Sequence, residues 1–127
     1  MKIMKKLIII CIGLLTLLSC KKREQLDLDN FKQGTFEILA DEKYGKTVFK
    51  RIGDLQIEYY DDKIDTLSIH WKNNFNYTLQ MLHPKTELDN EPINVMLKSV
   101  TANSYDFEAI IGHSNFVIKG TVIKIAD

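Results

Sequence analysis

The chain has 127 residues, 45% of them hydrophobic and 27% charged, and its 17 basic and 17 acidic side chains balance to a net charge of zero. This balance excludes the strongly basic surface that nucleic-acid binding requires. The length suits one domain with a core of its own.

The first nineteen residues have the pattern of a secretion signal. Lys2, Lys5 and Lys6 precede an apolar run over residues 7–18, and no acidic residue interrupts them. This run is shorter than the roughly 20 residues that a membrane-spanning helix needs. We therefore expect residues 1–19 to be a signal peptide and not a transmembrane anchor.

The signal ends in Leu17-Leu18-Ser19-Cys20, which resembles the lipobox of bacterial lipoproteins. The thiol of Cys20 is the nucleophile that diacylglycerol would alkylate, and the small Ser19 would let a peptidase approach the bond between them. Two or three acyl chains hold a protein at a membrane far more firmly than one. The sequence predicts cleavage between Ser19 and Cys20 and lipidation at Cys20. The alternative is an ordinary cleaved signal that leaves Cys20 as a free thiol.

Removal of the signal changes the cysteine count and the charge. Cys11, the only other cysteine, is lost with it, so no disulfide can form within one mature chain and the fold must depend on its core. Fourteen basic residues then face seventeen acidic ones, a net charge of −3. We expect residues 20–30 to comprise the lipidated Cys20 and a polar tether. The ten tether residues, fully extended, would span at most about 35 Å from the membrane.

From residue 31 to residue 127 the sequence predicts a single β domain. Short runs rich in β-branched and aromatic residues are separated by turns that contain Gly, Asn or Asp, and no run has helical periodicity. We expect eight strands, with the first three at 34–40, 46–52 and 55–60, the sixth at 93–101, the seventh at 105–111 and the eighth after a turn at 112–115. The first hairpin turn is expected at 41–45 and the second at Gly53-Asp54.

The fourth and fifth strands have the clearest alternation of apolar and polar residues. Asn73-Asn74 between them has the chemistry of a two-residue hairpin turn. Gly120, inside the eighth strand, predicts a bend or a bulge. The apolar face is expected to comprise Leu67, Ile69 and Trp71 in the fourth strand and Phe75, Tyr77, Leu79 and Met81 in the fifth.

Eight consecutive antiparallel strands leave exposed edges unless the first pairs with the last. We therefore predict an up-and-down meander closed into a barrel like that of lipocalins, whose interior is filled by side chains or holds one small ligand. The alternative architecture is a two-sheet β-sandwich.

Several segments of the mature chain form a recognisable set: Phe31-Lys32, Gly34-Thr35-Phe36, residues 63–66, Ser68-Ile69, Trp71, residues 82–85, Asn103-Ser104-Tyr105, Phe107-Glu108 and residues 119–121. Together they resemble a group of small uncharacterised flavobacterial-type lipoproteins with a β-meander domain. The resemblance implies no catalytic residues. Relatives sometimes carry the label "DNA topoisomerase IV", which we judge erroneous for this chain, because it lacks a phosphate-cradling glycine loop and a basic surface.

Candidate site residues are few. Three histidines, His70, His83 and His113, are too scattered to predict a metal site. No serine lies in a Gly-x-Ser-x-Gly elbow, and nothing indicates a cofactor. The remaining candidates are aromatic residues that could line a ligand cavity or could be ordinary core: Tyr59, Trp71, Tyr77, Tyr105 and Phe107.

The sequence thus predicts a non-enzymatic lipoprotein of the cell envelope, held to a membrane through acyl chains on Cys20, that binds a small apolar ligand or an envelope protein and no nucleic acid. Because Lys21 rather than aspartate follows Cys20, we expect the outer membrane and its periplasmic face. A structural or assembly lipoprotein without a ligand is the alternative, and a hydrolase is a third hypothesis. An open lumen would favour ligand binding, and a packed one surface interactions.

Overall fold

The computed structural model describes residues 26–40 and 45–127. The predicted signal, Cys20, and residues 41–44 of the first predicted turn lie outside the described residues. In the described part of the chain, eight strands follow one another: β1 Gly34–Ile38, β2 Thr47–Ile52, β3 Leu55–Tyr60, β4 Lys63–Asn73, β5 Asn76–Met81, β6 Ile93–Val100, β7 Ser104–Ile111 and β8 Val117–Ala126.

These strands form a closed antiparallel barrel in sequence order. Closure is made by β1 and β8, where Glu37 pairs with Ile123 and Ile38 with Val122. The predicted eight-stranded up-and-down barrel is confirmed, and the β-sandwich alternative is wrong. Closure leaves no strand edge without a partner, which removes a route to aggregation.

Alternation along each strand builds the core, because every second side chain points into the barrel. Most of the buried apolar residues belong to the strands, and one of them precedes β1. They are Phe31, Phe36, Phe49, Leu67, Ile69, Tyr77, Leu79, Val95, Leu97, Tyr105, Ala109 and Val122.

The hairpin between β4 and β5 turns one residue later than predicted. Its turn residues are Asn74 and Phe75, and the β4–β5 register shifts between Trp71 and Asn73. The Asn73 side chain accepts hydrogen bonds from the Phe75 backbone N–H and the Asn76 side chain, both at 2.9 Å. The prediction that Phe75 faces the core is therefore wrong, since the turn leaves this side chain 47% exposed.

Gly120 does not mark the predicted bulge. The β7–β8 register runs without a shift through the pair Phe107 and Gly120. A Cβ atom on Gly120 would lie only 2.8 Å from the Phe107 ring. The glycine is needed because the ring occupies the space that a side chain would take.

The two ends of the barrel differ. At the end where β2 turns into β3, β4 into β5 and β6 into β7, a 3₁₀ helix at Leu28–Phe31 lies across the opening. The Asn30 side chain donates to the Ala102 carbonyl at 3.2 Å, and Lys32 Nζ donates to Asn74 Oδ1 at 3.3 Å. We call Leu28–Phe31 the plug, this end the closed end, and the opposite end the open end.

The plug extends the folded unit beyond the predicted boundary at residue 31. Asp27 caps its first turn by accepting a hydrogen bond from the Asp29 backbone N–H at 3.1 Å. Leu28 packs against the core, and Phe31 is fully buried. Residues 28–30, predicted to be part of the tether, therefore pack with the barrel.

Candidate functional site

The five predicted aromatic candidates do not form one group. Trp71, Tyr77 and Tyr105 lie together inside the closed half of the barrel, and Phe107 lies inside the open half beside Gly120. Tyr59 pairs with Val48 and is 37% exposed on the outer face, because its neighbour Glu58 pairs with the buried Phe49. The structure thus separates Tyr59 from the other four.

The space among the inner aromatic residues is filled by Arg51, which is only 1% exposed. Its guanidinium carbon lies within 6.0 Å of the centroids of five rings, which we call the aromatic cage. Such contacts between a cation and aromatic faces are favourable, and more so where water is excluded. The cage comprises Tyr77 at 4.7 Å, Phe49 at 4.9 Å, Phe36 at 5.0 Å, Trp71 at 5.4 Å and Tyr105 at 6.0 Å.

Hydrogen bonds hold the guanidinium from three directions. Nη1 donates to the Phe31 carbonyl at 2.6 Å, Nη2 to the Tyr105 hydroxyl at 3.0 Å, and Nε to Gln56 Oε1 at 2.9 Å. Within the described residues no carboxylate lies within ion-pair distance of Arg51. The buried charge is therefore stabilised by rings and neutral acceptors, and the cage has no room for a ligand.

Protonation states in the cage follow from these contacts. Burial alone would lower the pKa of Arg51, but the hydroxyls of Tyr105 and Tyr77 more than offset it, and this pKa is raised above its ordinary value. Burial also raises the pKa of Tyr77 well above its ordinary value. Arg51 therefore stays charged, and the neutral Tyr77 hydroxyl lies 3.0 Å from the hydroxyl of Tyr105.

The plug completes the closed end of the cage. The ring of Phe31 packs edge-on against Tyr105 with a centroid distance of 5.1 Å. Lys124 Nζ donates to the carbonyl and the side-chain oxygen of Asn30, at 2.9 and 2.8 Å. The two cations, Arg51 and Lys124, thus bind carbonyl groups of the plug and fix it over the opening.

A cleft of about 810 Å³ begins inside the open half of the barrel and extends outside it, past the first hairpin. By register, its inner wall is formed by Ile38, Thr47, Glu58, Phe107 and Ile118. Gly120 also borders the inner part. The cleft continues past Leu39, Ala40 and Gly45 of the first hairpin and over the outer face of β6 to β8, where its lining is Lys98, Asp106, Glu108, Lys119 and Thr121.

Glu58 is the charged group on the inner wall of this cleft. Its Oε1 accepts a hydrogen bond from Gln56 Nε2 at 2.9 Å, and Gln56 in turn accepts from Arg51. Burial raises the pKa of Glu58, and the nearby carboxyl of Asp65 adds to this rise, whereas the bond from Gln56 and the charge of Arg51 act against it. Glu58 is therefore a partly desolvated carboxyl linked to Arg51 only through an amide.

The connections at the open end carry exposed apolar side chains. Phe116, in the β7–β8 connection, is 82% exposed, and neighbours around the opening are also exposed. We call this set the rim. Its members are Leu39 in the β1–β2 connection, Ile64 at the start of β4, Leu82 and Leu88 in the β5–β6 connection, Phe116 in the β7–β8 connection and Val117 at the start of β8.

The polar residues weighed for catalysis or metal binding stay apart. His70, His83 and His113 are exposed. Among the residues that the structure describes, no group of three metal-ligating side chains converges, and no hydrogen bond joins a serine to a histidine.

No family model matches the chain, and no match was found among curated proteins or among solved structures. In the part of the chain that the structure covers, no helix combines the length and apolar character needed to cross a membrane.

Proposed function

We propose that this chain is a non-enzymatic binding lipoprotein whose barrel takes up a small, largely apolar molecule through its open end. The observation that carries the proposal is the pairing of a plugged closed end with a cleft that enters the open half from outside the barrel. Three of the side chains on its inner wall, those of Ile38, Phe107 and Ile118, are apolar. Burial of apolar ligand surface there is favourable by roughly 25 cal/mol per Å².

The rim supports the same function. Its exposed side chains, above all Phe116, surround the opening with apolar surface. A ligand that leaves a membrane or a carrier would meet apolar groups before it reaches Ile118 inside. The same surface also suits an envelope protein partner, which is the second candidate function.

The location proposed for the protein is the periplasmic face of the outer membrane, with acyl chains on Cys20 as the anchor. The support is the lipobox at Ser19-Cys20 and the lysine, Lys21, that follows it. Leu26, the first described residue, leads into the plug at the closed end, so the described chain enters the barrel opposite the opening. This arrangement leaves the open end free to receive a ligand.

Binding in the cleft can be tested with hexanol as a neutral apolar probe, added to the full chain in phosphatidylcholine nanodiscs. We expect NMR shifts of the methyl groups of Ile38 and Ile118 but not of the outward-facing Ile52. Ile118→Trp should weaken hexanol binding at least about tenfold, since an indole fills the space that the probe needs.

The matched control is Ile52→Trp, which places the same side chain on the outer face, away from the cleft and the rim. It should leave hexanol affinity unchanged. Equal effects of the two variants, or shifts only at outer-face methyl groups, would contradict a site inside the barrel. Circular dichroism checks that both variants remain folded.

The anchor has its own test. Cys20→Ser removes the thiol that carries the acyl chains, so we expect most of the protein to leave the membrane fraction, whereas Cys11→Ser changes only the discarded segment and should have no effect. Mass spectrometry of the native protein should show an acylated N-terminal cysteine. Equal membrane retention of both variants would contradict anchoring at Cys20.

A further inference from the structure

Charges inside the barrel are divided between its two halves. The closed half contains the cations Arg51 and Lys124, and both donate to carbonyl groups of the plug. The open half contains the carboxyls of Glu58 and Asp65, which face each other across the β3–β4 pair. Within the described residues, neither carboxyl forms an ion pair with a lysine, arginine or histidine.

The two carboxyls differ in their partners. Asp65 receives a short hydrogen bond from the Tyr60 hydroxyl. Glu58 receives one from Gln56 and lies in the inner wall of the cleft, among Ile38, Phe107 and Ile118. An ionised carboxylate can accept about four hydrogen bonds, so Glu58 retains acceptor capacity toward the cleft.

Arg51 lowers the pKa of Glu58 through its charge but forms no direct ion pair with it. The side chain of Gln56 lies between them, accepting from Arg51 and donating to Glu58. The cationic side chains that border the cleft, Lys98 and Lys119, lie on the outer face, where both pair with Glu108 at 3.7 Å. The inner wall thus has a carboxylate that forms no direct ion pair within the described residues.

From this arrangement we infer that the ligand of the cleft is cationic: an ammonium or guanidinium group attached to an apolar body. The cation would bind Glu58, and the apolar body would contact Ile38, Phe107 and Ile118. This inference rests on the proposed binding function, because it names the chemical class that the same cleft takes. A carboxylate that lacks a counterion costs free energy on burial, and a bound cation removes that cost.

The chemistry of the inner wall also excludes the opposite ligand charge. An anionic ligand such as a fatty acid would bring a second carboxylate beside Glu58 and Asp65, where like charges repel in a partly desolvated site. A neutral ligand would use the apolar wall and leave the charge of Glu58 unmatched. Affinity should therefore fall from amine to alcohol to carboxylate when the apolar body is the same.

The test uses three six-carbon probes, hexylamine, hexanol and hexanoate, titrated by calorimetry into the full chain in phosphatidylcholine nanodiscs, with empty nanodiscs as the blank. A charge-assisted hydrogen bond contributes about 1.5–3 kcal/mol, so we expect hexylamine to bind about 10–100 times more tightly than hexanol. Hexanoate should bind most weakly.

The variant that tests the role of Glu58 is Glu58→Gln, which keeps the shape and the hydrogen bond with Gln56 but removes the charge. We expect the ratio of hexylamine to hexanol affinity to fall to about one. Glu37→Gln is the matched control, because it removes a carboxylate that faces outward and pairs with Lys46 at 3.4 Å. This control should keep the full preference for the amine.

The outcomes separate this inference from the proposed function. Hexanol binding with Ile118 methyl shifts but no preference for hexylamine would overturn the cationic ligand and leave the binding function standing. A preference that survives Glu58→Gln would also overturn it. If neither hexanol nor hexylamine shifts the Ile38 and Ile118 methyl groups, the binding function itself fails.

Discussion

Replacing Arg51 with alanine is expected to lower the free energy of unfolding by about 3–5 kcal/mol. The substitution empties the centre of the aromatic cage and removes the donor from Gln56 Oε1 and from the Phe31 carbonyl. A buried acceptor without a partner costs about 1–3 kcal/mol, and the cavity adds to this. Urea denaturation followed by the fluorescence of Trp71, a member of the cage, measures the change.

Two variants test the cause of this loss. Arg51→Met restores most of the volume without donors, so it should recover part of the loss; the remainder measures the hydrogen bonds and cation contacts. Lys50→Ala removes a neighbouring exposed cation and should change stability by no more than about 0.5 kcal/mol. If Arg51→Ala costs no more than Lys50→Ala, the cage does not stabilise the barrel.

The architecture could be predicted from the sequence because a β-meander is specified locally. Alternation of period two placed the strands, and glycine, asparagine and aspartate placed the turns. Gly53, with φ of +58°, lies in the second hairpin turn as expected. The β4–β5 hairpin was displaced by one residue because the asparagine that was expected inside the turn, Asn73, instead ends β4 and caps the turn with its side chain.

The contents of the barrel were harder to predict, because alternation does not say which face points inward. In β3 the apolar residues Leu55, Ile57 and Tyr59 share one face, and Gln56 and Glu58 share the other. The pairing of Phe49 with Glu58 turns the polar face inward, and Arg51, two residues after Phe49, makes that face favourable by binding Gln56. This polar network depends on the pairing of β2 with β3, so the pattern of either strand alone does not predict it.

Arg51 itself left a signal in the sequence. It follows Phe49 by two residues, so an inward Phe49 requires an inward Arg51. The usual assumption that charged residues face the solvent argues against an inward Arg51, since arginine is seldom fully buried without a partner. No comparable sequence pattern predicts the cleft, because the cleft exists where the side chains of the open half leave space unfilled.

A continuous series of hydrogen bonds joins the two ends of the barrel. It runs from the Phe31 carbonyl through Arg51 and Gln56 to Glu58 on the wall of the cleft. Arg51 occupies the aromatic cage, and the cleft that Glu58 lines lies in the other half of the barrel. The plug and the cleft are therefore parts of one polar framework within an apolar barrel.

Phe31→Ala is expected to destabilise the protein by about 3–5 kcal/mol, the usual cost of removing a buried phenylalanine. The ring of Phe31 is 1% exposed and packs on Tyr105, so its loss opens the closed end beside Arg51. The matched control is Phe116→Ala, because Phe116 is 82% exposed and should change stability by no more than about 0.5 kcal/mol. Denaturation midpoints measure both, and hydrogen exchange of β2 and β7 should rise only in Phe31→Ala. Equal losses in the two variants would show that the plug does not seal the barrel.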